Sequence, residues 1–270
     1  MKIMIRSDIE GVTGVTTYQQ AEGSGFGQAM LMNDLCAVID GLLAQGEQEI
    51  VIYDEHTDGR NVVLERLPQS VTAICGKPDY RPDWGGIDSS FDAMIMVGYH
   101  ARSGTPGALL PHSYSRKNLN IRINGAVVGE IGMEAAIAGD FDVPTWLVTG
   151  DSAGVKEAQD ILPGVKTVTV KQAHGEFEAL CYPPASTARL LYEAAKAVIT
   201  SPPPLKPLRF PGPVDLEIEL AESDYLLKLK AMHPDMLAKA NTVRIKADTV
   251  TAAWSKYCIL QKQIKKAMKG

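Results

Sequence analysis

Cysteine is scarce and scattered. Cys36, Cys75, Cys181 and Cys258 stand far apart with no CxxC spacing, which excludes a disulfide scaffold and a thiolate zinc ribbon. Free thiols buried in apolar segments are expected instead. No apolar run approaches the roughly 20 residues that span a bilayer, and Lys2 to Arg6 already looks like a strand, with no leader before it. A soluble, cytoplasmic protein without a membrane partner is therefore expected. Basic charge is also short, because 27 Lys and Arg face 32 Asp and Glu for a net charge of −5. With no basic stripe, nucleic acid is excluded as a partner. A P-loop and a GxGxxG turn are missing too, since Gly23-Ser24-Gly25-Phe26-Gly27 lacks that spacing, and this argues against a flavodoxin-like nucleotide-binding module.

The remaining composition is that of a globular chain. At 45% hydrophobic and 22% charged, 270 residues can bury a large core. Short apolar segments closed by polar residues or glycine predict strands at Lys2–Arg6, Glu49–Tyr53, Val71–Ile74, Ala93–Val97 and Thr145–Thr149. Helical spacing predicts helices over Gln28–Ala44 and Val155–Leu162. Alternation of the two predicts a three-layer α/β/α fold on a mostly parallel sheet. Asn124-Gly125 between apolar stretches marks a hairpin over Leu119–Gly129. The proline cluster at 201–213 predicts a linker between an α/β catalytic domain, 1–200, and a smaller α+β subdomain, 214–270. In that subdomain Asp215–Leu220 and Thr242–Lys246 look like strands, and Thr249–Met268 looks like a helix capped by Asp248.

In such sheets ligands bind outside the carboxyl ends of the strands. Asp8 and Glu10 follow the first strand at a spacing that turns both to one side of extended backbone. Asp54-Glu55-His56 follows the second, Gly98-Tyr99-His100 follows Ala93–Val97, and Glu130 follows the hairpin where a helix starts. Singly these have ordinary explanations: a turn or cap for the aspartates, the helix dipole for Glu130, a surface position for His56. Jointly they point to metal. Imidazole with carboxylate suits zinc, manganese or iron rather than magnesium or calcium, and zinc is the first choice among the three. Asp8, Glu10, His56, His100 and Glu130 are too many ligands for one catalytic zinc, and they fit two Zn²⁺ per subunit sharing a bridging hydroxide nucleophile. The glycine-rich loop after His100 can lie over a substrate and leads to His112, a candidate general acid or transition-state hydrogen-bond donor, otherwise a solvent-exposed loop histidine. Arg102 offers either a fork for a substrate carboxylate or a structural ion pair.

These residues, in this order, resemble the D-aminopeptidase family of dizinc metallopeptidases. The resemblance is carried by Ser7-Asp8-Ile9-Glu10-Gly11, the Asp54/His56 pair, Gly98-Tyr99-His100-Ala101-Arg102 through Thr105-Pro106-Gly107 to His112-Ser113, and Val128-Gly129-Glu130-Ile131-Gly132. It continues through Gly139, Val143-Pro144 and Gly150-Asp151 to Lys171-Gln172, covering the first 200 or so residues. It implies that Asp8 bridges two zincs, that Glu10, His56, His100 and Glu130 complete the coordination, and that His112 is catalytic. It also implies hydrolysis of short peptides with an N-terminal D-residue, of the D-Ala type, and a ring-like homo-oligomer, a decamer, enclosing the active sites. The stretch from His100 to His112 is longer than the family pattern through Leu109-Leu110-Pro111.

A rival reading is written in the same chain. Gly150-Asp151-Ser152-Ala153-Gly154 matches the G-x-S-x-G elbow of serine hydrolases, after a predicted strand and before a predicted helix. It needs a downstream histidine, His174 or His233, and leaves the upstream ligands unexplained. Otherwise Ser152 is a helix cap or a rim residue. A two-metal phosphoesterase is a third possibility, with a similar metal set.

Overall fold

A computed structural model describes residues 1–23, 25–77 and 86–269. Its strands are β1 (Lys2–Ser7), β2 (Glu49–Asp54), β3 (Val71–Ile74), β4 (Ala93–Tyr99), β5 (Asn118–Ile123), β6 (Ala126–Val128), β7 (Thr145–Asp151), β8 (Lys166–Gly175), β9 (Glu178–Cys181), β10 (Val214–Leu220), β11 (Leu237–Lys239) and β12 (Thr242–Ala247). The helices are α1 (Tyr18–Gly23), α2 (Gly25–Leu43), α3 (Glu130–Asp140), α4 (Ser152–Ile161), α5 (Pro184–Thr200), α6 (Asp224–Met232) and α7 (Val250–Lys269).

The main sheet runs β3-β2-β1-β4-β7-β8-β9 and is parallel except at the β8–β9 edge. Alternation along each strand sorts the core. Ile3 and Ile5 of β1, Ile50 and Ile52 of β2, and Ile95 and Val97 of β4 fill one face with α2 and α5. Met4, Tyr53, Met94, Met96 and Val148 fill the other with α3, the second sheet and α7. Burial of each large side chain contributes about 1.5–3 kcal/mol as an upper estimate. Three layers result, as the alternation of elements predicts.

α2 has the length and apolarity to cross a membrane, against the expectation that no run comes close. In this fold those residues are core: Leu31, Leu35, Val38 and Leu42 are buried, and Asp34 accepts from the Thr13 amide and hydroxyl, both at 2.9 Å.

Several boundaries differ from expectation. The β5–β6 hairpin joins the antiparallel sheet β11-β12-β10-β5-β6, so a cut at 201–213 does not separate the two sheets. The prolines form a strap rather than a spacer: Leu205, Leu208 and Phe210 pack on the core, and the Leu208 carbonyl fills the space a Cβ at Gly139 would need. Thr249 Oγ1, not Asp248, accepts from the Ala252 amide at the start of α7. The elements β8, β9 and α5 have no counterpart in the sequence reading, because Lys171, Gln172 and His174 break the apolar pattern of β8. The four thiols are free but not deeply buried, and Cys75 and Cys181 are exposed.

Register places the site. Ser7 pairs with Asp54 on one side and Val97 on the other, so β1, β2 and β4 end on one edge. The loops beyond them cross at backbone contact: Asp8 N donates to Val97 O at 2.9 Å and Gly11 N to Gly98 O at 2.8 Å. A Cβ at Gly11 would lie 1.9 Å from Tyr99 O, and Gly98 holds φ +80 against Asp8 O, so both positions require glycine.

Candidate metal centre

At this edge the structure brings together the five side chains that the sequence singled out. His56 Nδ1 lies 3.0 Å from both Asp8 Oδ1 and Glu10 Oε2. His100 Nε2 lies 3.4 Å from both Asp8 Oδ2 and Glu130 Oε1. All five are buried, Glu130 the least at 6% exposed. Glu130 has the helix-dipole position in the first turn of α3, and its Oε1 also accepts from the Tyr114 amide at 2.7 Å.

Burying three carboxylates with two imidazoles is costly without positive charge to offset it. Burial raises the Asp8 carboxyl to about 7, and Glu10 beside it adds to the rise. Burial acts in the same direction on Glu10 and Glu130, but His56 and His100 more than offset it and hold both below the usual carboxylate range. Burial pushes His56 down, yet Glu10 and Asp8 prevail and raise it to about 11, and Glu130 does the same for His100. The cluster thus draws protons onto groups whose lone pairs suit cations. Asp8 Oδ2, Glu10 Oε2, His56 Nε2 and His100 Nε2 are buried without a hydrogen bond, the signature expected of atoms aimed at an ion. His100 Nδ1 donates to Ala101 O at 2.9 Å, which fixes the tautomer so that Nε2 faces the carboxylates. Donor atoms of Asp8, Glu10 and His100, and of His100, His112 and Glu130, form two groups each within 4.8 Å. The residues fit divalent metal.

His112 is held over this cluster. Its ring stacks on His100 with centroids 4.3 Å apart and planes 5° from parallel, and Tyr18 meets its other side edge-on at 5.7 Å. Leu110 and Tyr114 flank it with φ of 46° and 58°, a left-handed conformation that bulky residues seldom adopt. Nδ1 donates to Leu110 O at 3.1 Å, which leaves Nε2 3.7 Å from Glu10 Oε1 and 3.9 Å from Glu130 Oε1. Burial, helped by His100, lowers the pKa, so the imidazole is neutral near pH 7 and presents a lone pair to the site.

The other candidates fall elsewhere. Asp54 shapes the loop that carries His56, accepting from the amides of Asn61 and Val62 and from Asn61 Nδ2. Arg102 lines a separate cavity with Lys156, Glu157 and Asp160 and donates to Ser103 O, so it does not clamp a substrate over the carboxylates. Asp151, not Ser152, is the N-cap of α4. Ser152 Oγ accepts from the Ala173 amide at 2.9 Å, and no histidine hydrogen-bonds to it among the described residues. His174 is exposed beside Glu178 and His233 ends α6, so the serine constellation does not assemble.

Two parts of the site were given no role in the sequence reading. Beneath the ligands Arg6 is fully buried, ion-paired with Glu134 and 3.8 Å from Glu55, while Tyr114 Oη donates to Glu134 at 2.6 Å. Glu55 adjoins His56, and Glu134 sits one turn after Glu130 on the same face of α3, so this network braces two of the candidate ligands. Lys171 is also fully buried, and its Nζ donates to the carbonyls of Glu10, Val12 and Val15 at 2.6, 2.7 and 2.5 Å. A charged residue within an otherwise apolar strand is the signal in both cases: Arg6 in KIMIRS, Lys171 in TVTVKQ. Lys171→Met leaves three buried carbonyls unpaired, at about 1–3 kcal/mol each. The variant is expected to lose at least about 3 kcal/mol of stability in urea and, because the Glu10 loop relaxes, about 10- to 100-fold in zinc affinity by competition with a chromophoric chelator. An unchanged zinc affinity would show that the lysine does not hold the ligand loop in place.

The family model for D-aminopeptidases (peptidase M55) matches residues 1–257. The chain belongs to the D-aminopeptidase family. A D-aminopeptidase of Bacillus subtilis (strain 168) is 31% identical over 225 residues, 82% of each chain. A solved structure, that of the Zn-dependent D-aminopeptidase DppA from Bacillus subtilis, described as a self-compartmentalizing protease, superposes with a TM-score of 0.89 at 28% identity over 98% of each chain. The D-aminopeptidase match thus extends through the second sheet and most of α7, well beyond the first 200 or so residues that carry the motifs.

Proposed function

We propose that this protein is a zinc-dependent aminopeptidase that cleaves short peptides with an N-terminal D-residue, two zinc ions being held by Asp8, Glu10, His56, His100 and Glu130. The observation that carries the reading is the convergence of these five buried side chains from four separate elements, with donor atoms on four of them that make no hydrogen bond. Five donors exceed the three that one catalytic zinc takes, and three carboxylates offset most of the charge of two ions. Zinc bound there supplies Lewis acidity toward a scissile carbonyl and lowers the pKa of water.

The chain's own residues do the rest. His112 Nε2, set between Glu10 and Glu130, accepts a proton from the water that attacks the scissile carbonyl, its imidazolium donates to the oxygen charge that develops there, and the proton passes to the amine nitrogen as the C–N bond breaks. Stacking on His100 and the Nδ1 bond to Leu110 O fix that ring before substrate arrives. In the same reading the protein is cytoplasmic and works as a ring-like homo-oligomer, a decamer, that encloses its active sites. The self-compartmentalizing relative and its TM-score of 0.89 support an enclosing assembly.

The test is hydrolysis of D-Ala-D-Ala and L-Ala-L-Ala, with metal content measured on the same sample. Expected are faster cleavage of the D-peptide, loss with a chelator, recovery with zinc, and indifference to a serine-directed inhibitor and to Ser152→Ala. Cleavage that survives chelation but not the inhibitor would overturn the reading.

A further inference from the structure

The turn Gly150-Asp151-Ser152-Ala153-Gly154 lacks a nucleophile's partners, and its polar side chains are engaged within the fold: Asp151 caps α4, and Ser152 Oγ holds the Ala173 amide. What the turn provides is a close approach to a candidate ligand. A Cβ at Gly150 would lie 1.9 Å from Tyr99 O, and one at Gly154 would lie 2.9 Å from His100 Cα. Glycine at both positions lets the start of α4 rest on the backbone of His100, as no larger residue could. Glu157 follows Gly154 by three residues and shares its face of the helix. Its Oε2 accepts from the Arg102 amide at 2.7 Å, and a Cβ at Gly129 would lie 2.3 Å from its Oε1. Gly129 is the N-cap of α3 and precedes Glu130. One carboxylate therefore touches both the segment that leaves His100 and the segment that enters Glu130.

The first of these contacts reaches the imidazole. Ala101 O accepts from His100 Nδ1 at 2.9 Å, and Ala101 O and Arg102 N belong to one peptide unit, so His100 and Glu157 grip opposite ends of the same rigid plane. Turning that plane turns the ring and moves Nε2, which stands 3.4 Å from Glu130 Oε1. The second contact bears on the start of α3 and so on Glu130 itself. Glu157 Oε1 is buried and makes no hydrogen bond, a cost in stability that a residue serving packing alone would avoid. We propose that Glu157 is a positioning residue of the metal centre, setting the orientation of His100 through the Ala101–Arg102 peptide and its distance from Glu130 through Gly129. The proposal rests on the metal reading and adds to it a residue outside the ligand set. Partners beyond the ligands are what fix ring orientation and basicity in metal sites generally.

The experiment titrates zinc against a chromophoric chelator in wild type and variants stripped of metal. Glu157→Met keeps bulk and helix propensity but has no oxygen to accept the Arg102 amide, and it is expected to weaken one of the two zinc ions about 10- to 100-fold and the other less than about threefold. Glu157→Gln keeps an acceptor oxygen and should restore wild-type affinity. Cobalt in place of zinc gives a second readout, because its visible absorption reports ligand geometry: the spectrum should change in Glu157→Met and not in Glu157→Gln. Leu162→Ala, at the buried C-cap of α4, lowers stability through lost core contacts and should leave both readouts as in wild type. Should Glu157→Met not fold, Glu157→Asp, one methylene shorter, is expected to weaken the same ion. If the variant binds both ions as tightly as wild type with an unchanged cobalt spectrum, or if Leu162→Ala shifts both readouts as far, the positioning role is overturned and the metal reading stands. Wild type that binds no zinc overturns both.

Discussion

Asp8→Asn is expected to lower hydrolysis of a D-Ala peptide about 1,000-fold or more, because losing a ligand forfeits several kcal/mol of metal-centred charge stabilisation at about 1.4 kcal/mol per factor of ten. Elemental analysis after dialysis should find fewer than two zinc ions per chain. Stability should move the opposite way once zinc is stripped. Burial, and then Glu10, raises the Asp8 carboxyl from 3.8 to about 7, so the folded chain keeps a proton that the unfolded chain has released. A raised carboxyl contributes stability that is fully present below pH 3.8 and is lost as pH climbs through about 7. Asparagine carries no such proton and no like charge beside Glu10. At pH 8 the zinc-stripped variant should therefore melt higher than zinc-stripped wild type. Adding zinc should reverse the order, since an ion that binds only the folded chain stabilises it by about 4 kcal/mol at a thousand times its Kd. A variant that keeps two ions and full rate defeats the ligand assignment.

For His112→Ala the expected result is retention of both zinc ions with kcat lower by about 100- to 10,000-fold, the usual range for a lost general acid–base group. KM should change little, because the ring is assigned to the proton and to transition-state charge rather than to substrate binding. The measurement also separates two roles that geometry allows. His112 shares a 4.8 Å donor group with His100 and Glu130, so it stands where a ligand could stand. Its Nδ1 bond to Leu110 O and its stacking on His100 hold it even without coordination, which is the arrangement a proton-transfer group needs. Loss of a zinc ion in the variant would make it a ligand instead.

Much of the site was legible because the register of a parallel sheet is short-range information. Each candidate ligand follows an apolar strand, and strands that pair in parallel end at one edge, so Asp8, His56 and His100 had to meet if β1, β2 and β4 were neighbours. Glu130 was legible through the hairpin and the helix start. The bracing was not: Arg6 and Glu134 are 128 positions apart, and Lys171 lies 161 positions from the Glu10 carbonyl it holds. Nothing local marks such a pair except a charge at a position that periodicity turns inward. The G-x-S-x-G match shows the converse, a local motif in its proper strand-to-helix setting whose partners never arrive.

The second sheet teaches the same lesson about the chain as a whole. Its strands β5 and β6 come from the middle of the sequence and β10 to β12 from the end, and antiparallel pairing joins them across the proline strap. A linear division could not anticipate this, because sheet partners at an edge are chosen by which apolar faces remain uncovered. Neighbours within a few residues encoded the alternation of elements, the parallel sheet and the candidate metal ligands. Packing in three dimensions settled which charges lie buried together, that α7 brings two lysines to the cavity over the site, and that Arg102 and Ser152 stand apart from it. Those depend on packing between segments far apart in the chain, where the cost of burying an unpaired charge selects the partner.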